Sequence, residues 1–182
     1  MIRPGLFLAL SVFFAYVSRR SLVRPSTHGF FRFFVWEALA ALFLLNGPHW
    51  IDDPFGPRQL LSWTLITVSA ALALAGAHAL RAYGQAGPQR NAPELYAFER
   101  TSRLVTRGIY RYLRHPLYSS LLFLAWGVFL KQPGAAGFAL AAATSLFLIL
   151  TARRDEAECR SYFGAAYDAY AARTPGFLPF GP

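Results

Sequence analysis

Residues able to do chemistry are concentrated in two short stretches. The first is "RGIYRYLRHPLYSS", Arg107 to Ser120, where three arginines, a histidine and three tyrosines crowd against Pro116. The second is "RRDEAEC", Arg153 to Cys159, with three carboxylates behind two arginines. Pro116 suits the first position of a helix, where its missing N–H costs nothing, and it drives His115 toward an extended conformation. A sharp turn is therefore expected at Arg114–His115, beside a helix N-terminus whose free N–H groups favour an anion. Arg107, Arg111 and Arg114 are spaced for one helical face, and Gly108 allows a turn ahead of it. The plainer use of the same residues is arginines on lipid phosphate, with Tyr110 and Tyr112 in an interfacial aromatic belt.

The elements that must position these residues are apolar. The chain has 182 residues, 55% of them hydrophobic, and a mean hydropathy of +0.32. Five near-continuous apolar runs stand out: Ile2–Val17, Phe30–Leu45, Leu60–Leu80, Leu117–Leu130 and Gly134–Thr151. A bilayer core about 30 Å thick needs roughly 20 apolar residues per helix, so the fourth run is expected to begin or end in the interface. The first run is preceded only by Arg3 and followed by Ser18-Arg19-Arg20 rather than a small-residue cleavage site, which predicts a retained helix. The expected fold is all-α: a polytopic membrane protein of about five transmembrane helices plus a cytoplasmic C-terminal amphipathic helix. It reads as a single membrane domain over residues 1–182. Residues 1–80 form a three-helix part, and residues 81–182 hold a helical hairpin at 116–151 and a tail helix at 153–173.

A net charge of +9 would direct a soluble protein to nucleic acid, but the placement of the charges excludes that partner here. Arg19, Arg20, Arg24 and Arg32 follow the first run. Arg81, Arg90, Arg100, Arg103, Arg107, Arg111 and Arg114 separate the third from the fourth, and Arg153, Arg154, Arg160 and Arg173 follow the fifth. The alternate connections hold only Arg58, beside Asp52 and Asp53, and Lys131. The positive-inside rule puts the N-terminus outside and the C-terminus in the cytoplasm. The preference for arginine over lysine fits a GC-rich genome, hence a bacterial inner membrane.

Cys159 is the only cysteine, which rules out an internal disulfide or a multi-cysteine metal site. His28, His49, His78 and His115 are scattered, so no metal is expected. After the fifth run Cys159, Tyr162, Phe163, Ala166, Tyr167 and Tyr170 recur at helical spacing. Asp155, Glu156 and Glu158 fall where a separate tail helix would begin and suit its dipole. Within the second run Glu37 needs a partner, either an arginine or an acceptor pocket, because an ionisable residue in a span is costly.

"GIYRYLRHPLY" followed by "DEAECRSYFGAAYDAYAARTPGFLP" resembles the C-terminal half of the isoprenylcysteine carboxyl methyltransferase superfamily, which includes phospholipid and small-thiol methyltransferases. Gly108, Tyr110, Arg114, His115, Pro116, Tyr118, Asp155, Glu156, Phe163, Gly164, Tyr167, Tyr170 and Pro179 carry the match. The resemblance implies an integral membrane methyltransferase using S-adenosylmethionine, with a lipophilic or small acceptor. His115 and Arg114 would meet the cofactor carboxylate, and Asp155 or Glu156 its ribose and amino group. Leu104, Val105, Ile109, Tyr110 and Tyr118 would wall its adenine. Glu156 with Arg153 or Arg154 would position the reacting end, and Tyr162, Phe163 and Tyr167 would form a lid. Family members acting on prenylcysteine carboxylates have an arginine where this chain has Thr151, which implies a different acceptor. Membrane sterol reductases, which bind a nicotinamide cofactor, share the Arg-His-Pro signature and stand as the alternative, together with a non-catalytic scaffold.

Overall fold

The computed structural model describes residues 2–85 and 101–179. Their helices are α1 (Ile2–Leu22), α2 (His28–Asn46), α3 (Pro57–Tyr83), α4 (Pro116–Phe129), α5 (Ala135–Phe163) and α6 (Ala165–Ala171), and the fold they form is all-helical. Arg90 and Arg100, with the prolines and Gly87 of the inner connection, lie outside the described residues. Proline opens α3 and α4 at their first position, as its fixed φ and missing N–H favour. α1, α2, α3 and α5 are long and apolar enough to cross a membrane. α4 has 14 residues. At 1.5 Å per residue it is roughly 21 Å long, short of a full crossing. The turn over Lys131–Gly134 folds α4 and α5 into the expected hairpin.

The tail departs from expectation. α5 runs unbroken for 29 residues and carries Arg153 to Phe163 with it, so no separate helix begins at residue 153. No glycine or proline interrupts this stretch, and the Thr151 hydroxyl folds back onto the Phe147 carbonyl at 2.7 Å, within the helix's own surface. The break falls instead at Gly164, whose φ of 56° is left-handed and open mainly to glycine. α6 follows as a short helix. Asp155, Glu156 and Glu158 therefore sit in the C-terminal third of α5, far from its N-terminus, where the dipole does not favour them and partners must hold them.

α3 lies along α4, α2 along α5, and α1 on α2. A buried core between α2, α4 and α5 is built from Val35, Leu39, Leu42, Ala125, Val128 and Leu148. Lipid is as apolar as these side chains, so close packing and interhelical hydrogen bonds select the arrangement. Asn46 Nδ2 donates to the Val128 carbonyl at 2.7 Å, and the Ser62 hydroxyl to the Gly127 carbonyl at 2.7 Å. At the same end Lys131 is fully buried, with Nζ 3.0 Å from Gln59 Oε1 and 3.2 Å from the centre of the Trp63 ring. Burial, reinforced by Arg58, pushes its ammonium below the usual lysine range. Leu8, Val12 and Phe13 of α1 are exposed, as lipid-facing residues would be. Glu37 accepts a hydrogen bond from the Ser11 hydroxyl at 2.6 Å, so a neighbouring span rather than an arginine supplies a partner.

Candidate functional site

The segment before α4 is a single tight turn, not the arginine-faced helix that the spacing of Arg107, Arg111 and Arg114 predicts. A 3-10 turn occupies Gly108–Arg111, entered through a φ of 62° at Gly108, and the Tyr112 and Leu113 amides close on the Ile109 carbonyl. Three residues of tail, Pro175 to Phe177, then cross this neck. The Arg114 N–H donates to the Pro175 carbonyl at 2.8 Å and the His115 N–H to that of Gly176 at 3.1 Å. The Ser119 hydroxyl reaches the Phe177 carbonyl at 2.6 Å. The backbone donors that were expected to await an anion at Arg114 and His115 are thus occupied by the chain itself.

His115 is almost wholly buried, with its ring against Tyr118 and Phe177. Its Nε2 lies 2.9 Å from Glu156 Oε1, and its Nδ1 lies 3.7 Å from Asp155 Oδ2. Arg114 Nη2 meets the same Glu156 oxygen at 3.1 Å, while Arg160 Nη2 takes the other at 3.3 Å. Arg114 Nη1 donates to the Ala171 carbonyl at 2.7 Å, which leaves its buried Nε–H without an acceptor. One carboxylate on α5 therefore fixes the cationic neck of α4, and the neck in turn fixes the tail. A charge-assisted hydrogen bond of this kind contributes roughly 1.5–3 kcal/mol.

Beside this network lies a cleft of about 750 Å³, counting its open mouth. Leu104, Val105, Tyr110, Arg114, His115, Tyr118 and Asp155 line it, as do Phe163 and Tyr167 from the expected lid. Gly108 and Ile109 instead shape the turn beneath it, and Pro116 packs toward Gly76 of α3. Tyr162 is exposed and outside the lining. Glu156 faces the neck rather than the cleft, which leaves Asp155 as the carboxylate that lines the cleft among the described residues.

Arg153 and Arg154 are exposed on α5 and do not line the cleft. At 100° per residue they point roughly 160° and 100° away from Asp155 around the helix, so an unbroken α5 turns them outward. The positioning role expected of them is not met by this arrangement. The lining also includes His28, Leu80, Thr101, Leu117, Cys159 and Tyr170. Helical spacing singled out Cys159 and Tyr170 but gave them no place at a ligand. Nothing local marks His28, which arrives from α2. The Tyr170 hydroxyl donates to the Tyr110 carbonyl at 2.7 Å. Burial pushes the Tyr167 and Tyr170 phenols well above the usual tyrosine range, and the Glu156 carboxylate adds to the effect at Tyr167, so both remain neutral donors.

Comparison with known proteins bears on this cleft. The family model described as phospholipid methyltransferase matches residues 58–165, which include α3, α4 and all of α5. Protein-S-isoprenylcysteine O-methyltransferase B of Arabidopsis thaliana is 36% identical over 84 residues, 45% of this chain and 42% of that protein. A probable protein-S-isoprenylcysteine O-methyltransferase of Oryza sativa subsp. japonica is 33% identical over 86 residues, 46% of this chain and 44% of that protein. The match spans less than half the length of these curated relatives. No solved structure gives a significant match.

Proposed function

This chain belongs to the phospholipid methyltransferase family, and on that premise we propose that it transfers a methyl group from S-adenosylmethionine to a lipophilic or small acceptor at the membrane–cytosol boundary. The observation that carries the reading is the meeting of two sequence-distant clusters, Arg114–His115 and Asp155–Glu156, at one cleft near the ends of membrane-length helices. The donor set fits the cofactor. Asp155 offers a carboxylate to hydroxyl or amino groups, and the buried Arg114 Nε–H lacks an acceptor beside the cleft. Leu104, Val105, Tyr110 and Tyr118 supply an apolar and aromatic wall suited to a purine.

When bound, the cofactor supplies an already activated methyl on a sulfonium, so no strong protein nucleophile is needed. The chain's own residues have to align the acceptor and exclude water. Glu156 acts here as a positioning residue, because it sets His115 and Arg114 rather than facing the ligand. Tyr167 and Tyr170 close one side with neutral, buried phenols, beside the half-buried ring of Phe163. Both relatives are named for acting on isoprenylcysteine. In this chain Thr151 is fully buried with its hydroxyl turned into α5, so the position where prenylcysteine enzymes carry an arginine offers no cation. The acceptor in this reading is something other than a prenylcysteine carboxylate.

Equilibrium binding of S-adenosylhomocysteine and of NADPH to the purified protein tests the cofactor, and S-adenosylhomocysteine alone is expected to bind. Methyl-labelled cofactor added to membranes containing the protein should place label in the lipid-extractable fraction or in a volatile thioether. Oxidation of NADPH with no label transferred would assign the cleft to a reductase instead.

A further inference from the structure

A second hollow, about 580 Å³ with its open mouth counted, lies where the end of α3 meets the segment leading to the neck. Leu104 and Val105 line both it and the cleft, but its other walls are largely polar. Tyr83 comes from the last turn of α3, and Arg103, Thr106 and Arg107 come from the segment. Of the arginines spaced ahead of α4, Arg114 is taken by the neck. Arg103 and Arg107 are exposed, and among the described residues no carboxylate or carbonyl meets either guanidinium. The Thr106 and Tyr83 hydroxyls make no hydrogen bond there either, and no carboxylate lines the hollow. Two like charges therefore share one space uncompensated, beside two hydroxyls free to donate.

The frame of the hollow is fastened. The Ser102 amide and hydroxyl both donate to the Gln85 carbonyl, at 3.1 and 2.7 Å, and the Arg103 amide to the Gly84 carbonyl at 3.3 Å. These bonds tie the segment to the end of α3 and occupy carbonyls that a guanidinium could otherwise take. α3 has 27 residues. At 1.5 Å per residue it is about 40 Å long, enough to carry its end from the hydrocarbon to the level of the lipid headgroups.

We propose that this hollow binds a phosphate group, held by the Arg103 and Arg107 guanidinium groups with the Thr106 and Tyr83 hydroxyls donating to its remaining oxygens. A guanidinium presents paired N–H donors that match two phosphate oxygens. Two sources offer that chemistry at this depth: the headgroup of an anionic phospholipid, and free phosphate. Anionic lipids give the cytoplasmic leaflet its negative surface, on the side where the positive-inside rule is expected to put this end of α3. The site is distinct from the methyl-transfer cleft, and the inference stands apart from that reading.

The test uses the full-length protein, purified in detergent and freed of lipid, with binding read by titration calorimetry. The probes are dihexanoyl phosphatidylglycerol, inorganic phosphate, and dihexanoylglycerol, which lacks the phosphate. Saturable binding of phosphatidylglycerol and none of dihexanoylglycerol is expected. Arg103→Gln and Arg107→Gln should each weaken it about tenfold, the low end for a charge-assisted contact, because both side chains are exposed. Arg103→Lys/Arg107→Lys, which keeps the charge but not the fork, should fall between parent and double glutamine variant. Arg153→Gln/Arg154→Gln removes the same charge from an exposed stretch of α5 and should bind like the parent. Raising the salt to about 0.5 M should weaken binding to the parent. Phosphatidylglycerol binding at least tenfold tighter than inorganic phosphate makes the occupant a lipid headgroup, and parity makes it free phosphate. No saturable binding of either phosphate probe, undiminished binding in Arg103→Gln/Arg107→Gln, or an equal loss in the α5 control would each overturn the proposal. So would displacement of the phosphate probe by S-adenosylhomocysteine, which would merge the hollow with the cleft.

Discussion

At the residue scale the site is organised by Glu156, which meets His115 and Arg114 through one oxygen and Arg160 through the other. His115→Ala and Glu156→Ala are each expected to weaken S-adenosylhomocysteine binding by roughly ten- to a hundredfold, or 1.5–3 kcal/mol. Because each removes the other's partner, the double variant should lose less than the sum. Strict additivity in a titration of all three would show that the two act separately. Asp155→Asn should also reduce affinity with the fold intact, since Asp155 faces the cleft directly, whereas Arg153→Ala and Arg154→Ala should bind like the parent. Thr151→Arg, which the family pattern invites as a test of acceptor choice, would force a guanidinium into a position with no exposure. It is expected to destabilise the protein before it reports on the acceptor.

At the element scale, the cleft is shaped by a break and a crossing. Gly164 ends α5 at a φ of 56° with open space around it, so conformation rather than room restricts the position. Gly164→Ala should cost about 1–3 kcal/mol, because its positive φ with a ψ of −137° is a combination that side-chain-bearing residues scarcely populate. Thermal unfolding in detergent should register that as a fall of several degrees in Tm, with weaker S-adenosylhomocysteine binding as Tyr167 and Tyr170 shift on α6. An unchanged Tm would mean the backbone relaxes there freely. The crossing of tail over neck is held partly by Ser119, whose buried hydroxyl serves the Phe177 carbonyl. Ser119→Ala leaves that acceptor without its partner, at a cost of roughly 1–3 kcal/mol. The same melt would detect it.

At the scale of the whole molecule, arginine placement and helix length act together. α5 outruns a bilayer core by about two turns and carries Asp155, Glu156 and Glu158 beyond its apolar part. From the Arg-rich connections we propose that this extension, with Cys159, lies on the cytoplasmic side. A membrane-impermeant maleimide should label Cys159 only after the cytoplasmic face is opened, and a cysteine placed at Asp52 from the outside. Labelling in the reverse order would invert the topology. An outward-facing cleft would also be cut off from cytosolic cofactor, so the same experiment bears on function.

The sequence by itself determined the helices that lie in the membrane, since each apolar run is a local property of consecutive residues, and it determined the turn at Gly108 and the start at Pro116, where glycine and proline act on their own backbone. It also marked His115 and Glu156 as chemistry-bearing, through residue type and the family pattern. Tertiary structure alone decided how they are used. Glu156 turns to the neck and Asp155 to the cleft because an unbroken α5 sets their angles, and no residue near Thr151 announces that continuity. The tail carbonyls occupy the Arg114 and His115 amides because α6 folds back across 60 residues of sequence from Tyr110 to Tyr170. His28 reaches the cleft across 130 residues from Glu158, a separation over which periodicity and spacing carry no information, because only the packing of α2 along α5 brings the two together.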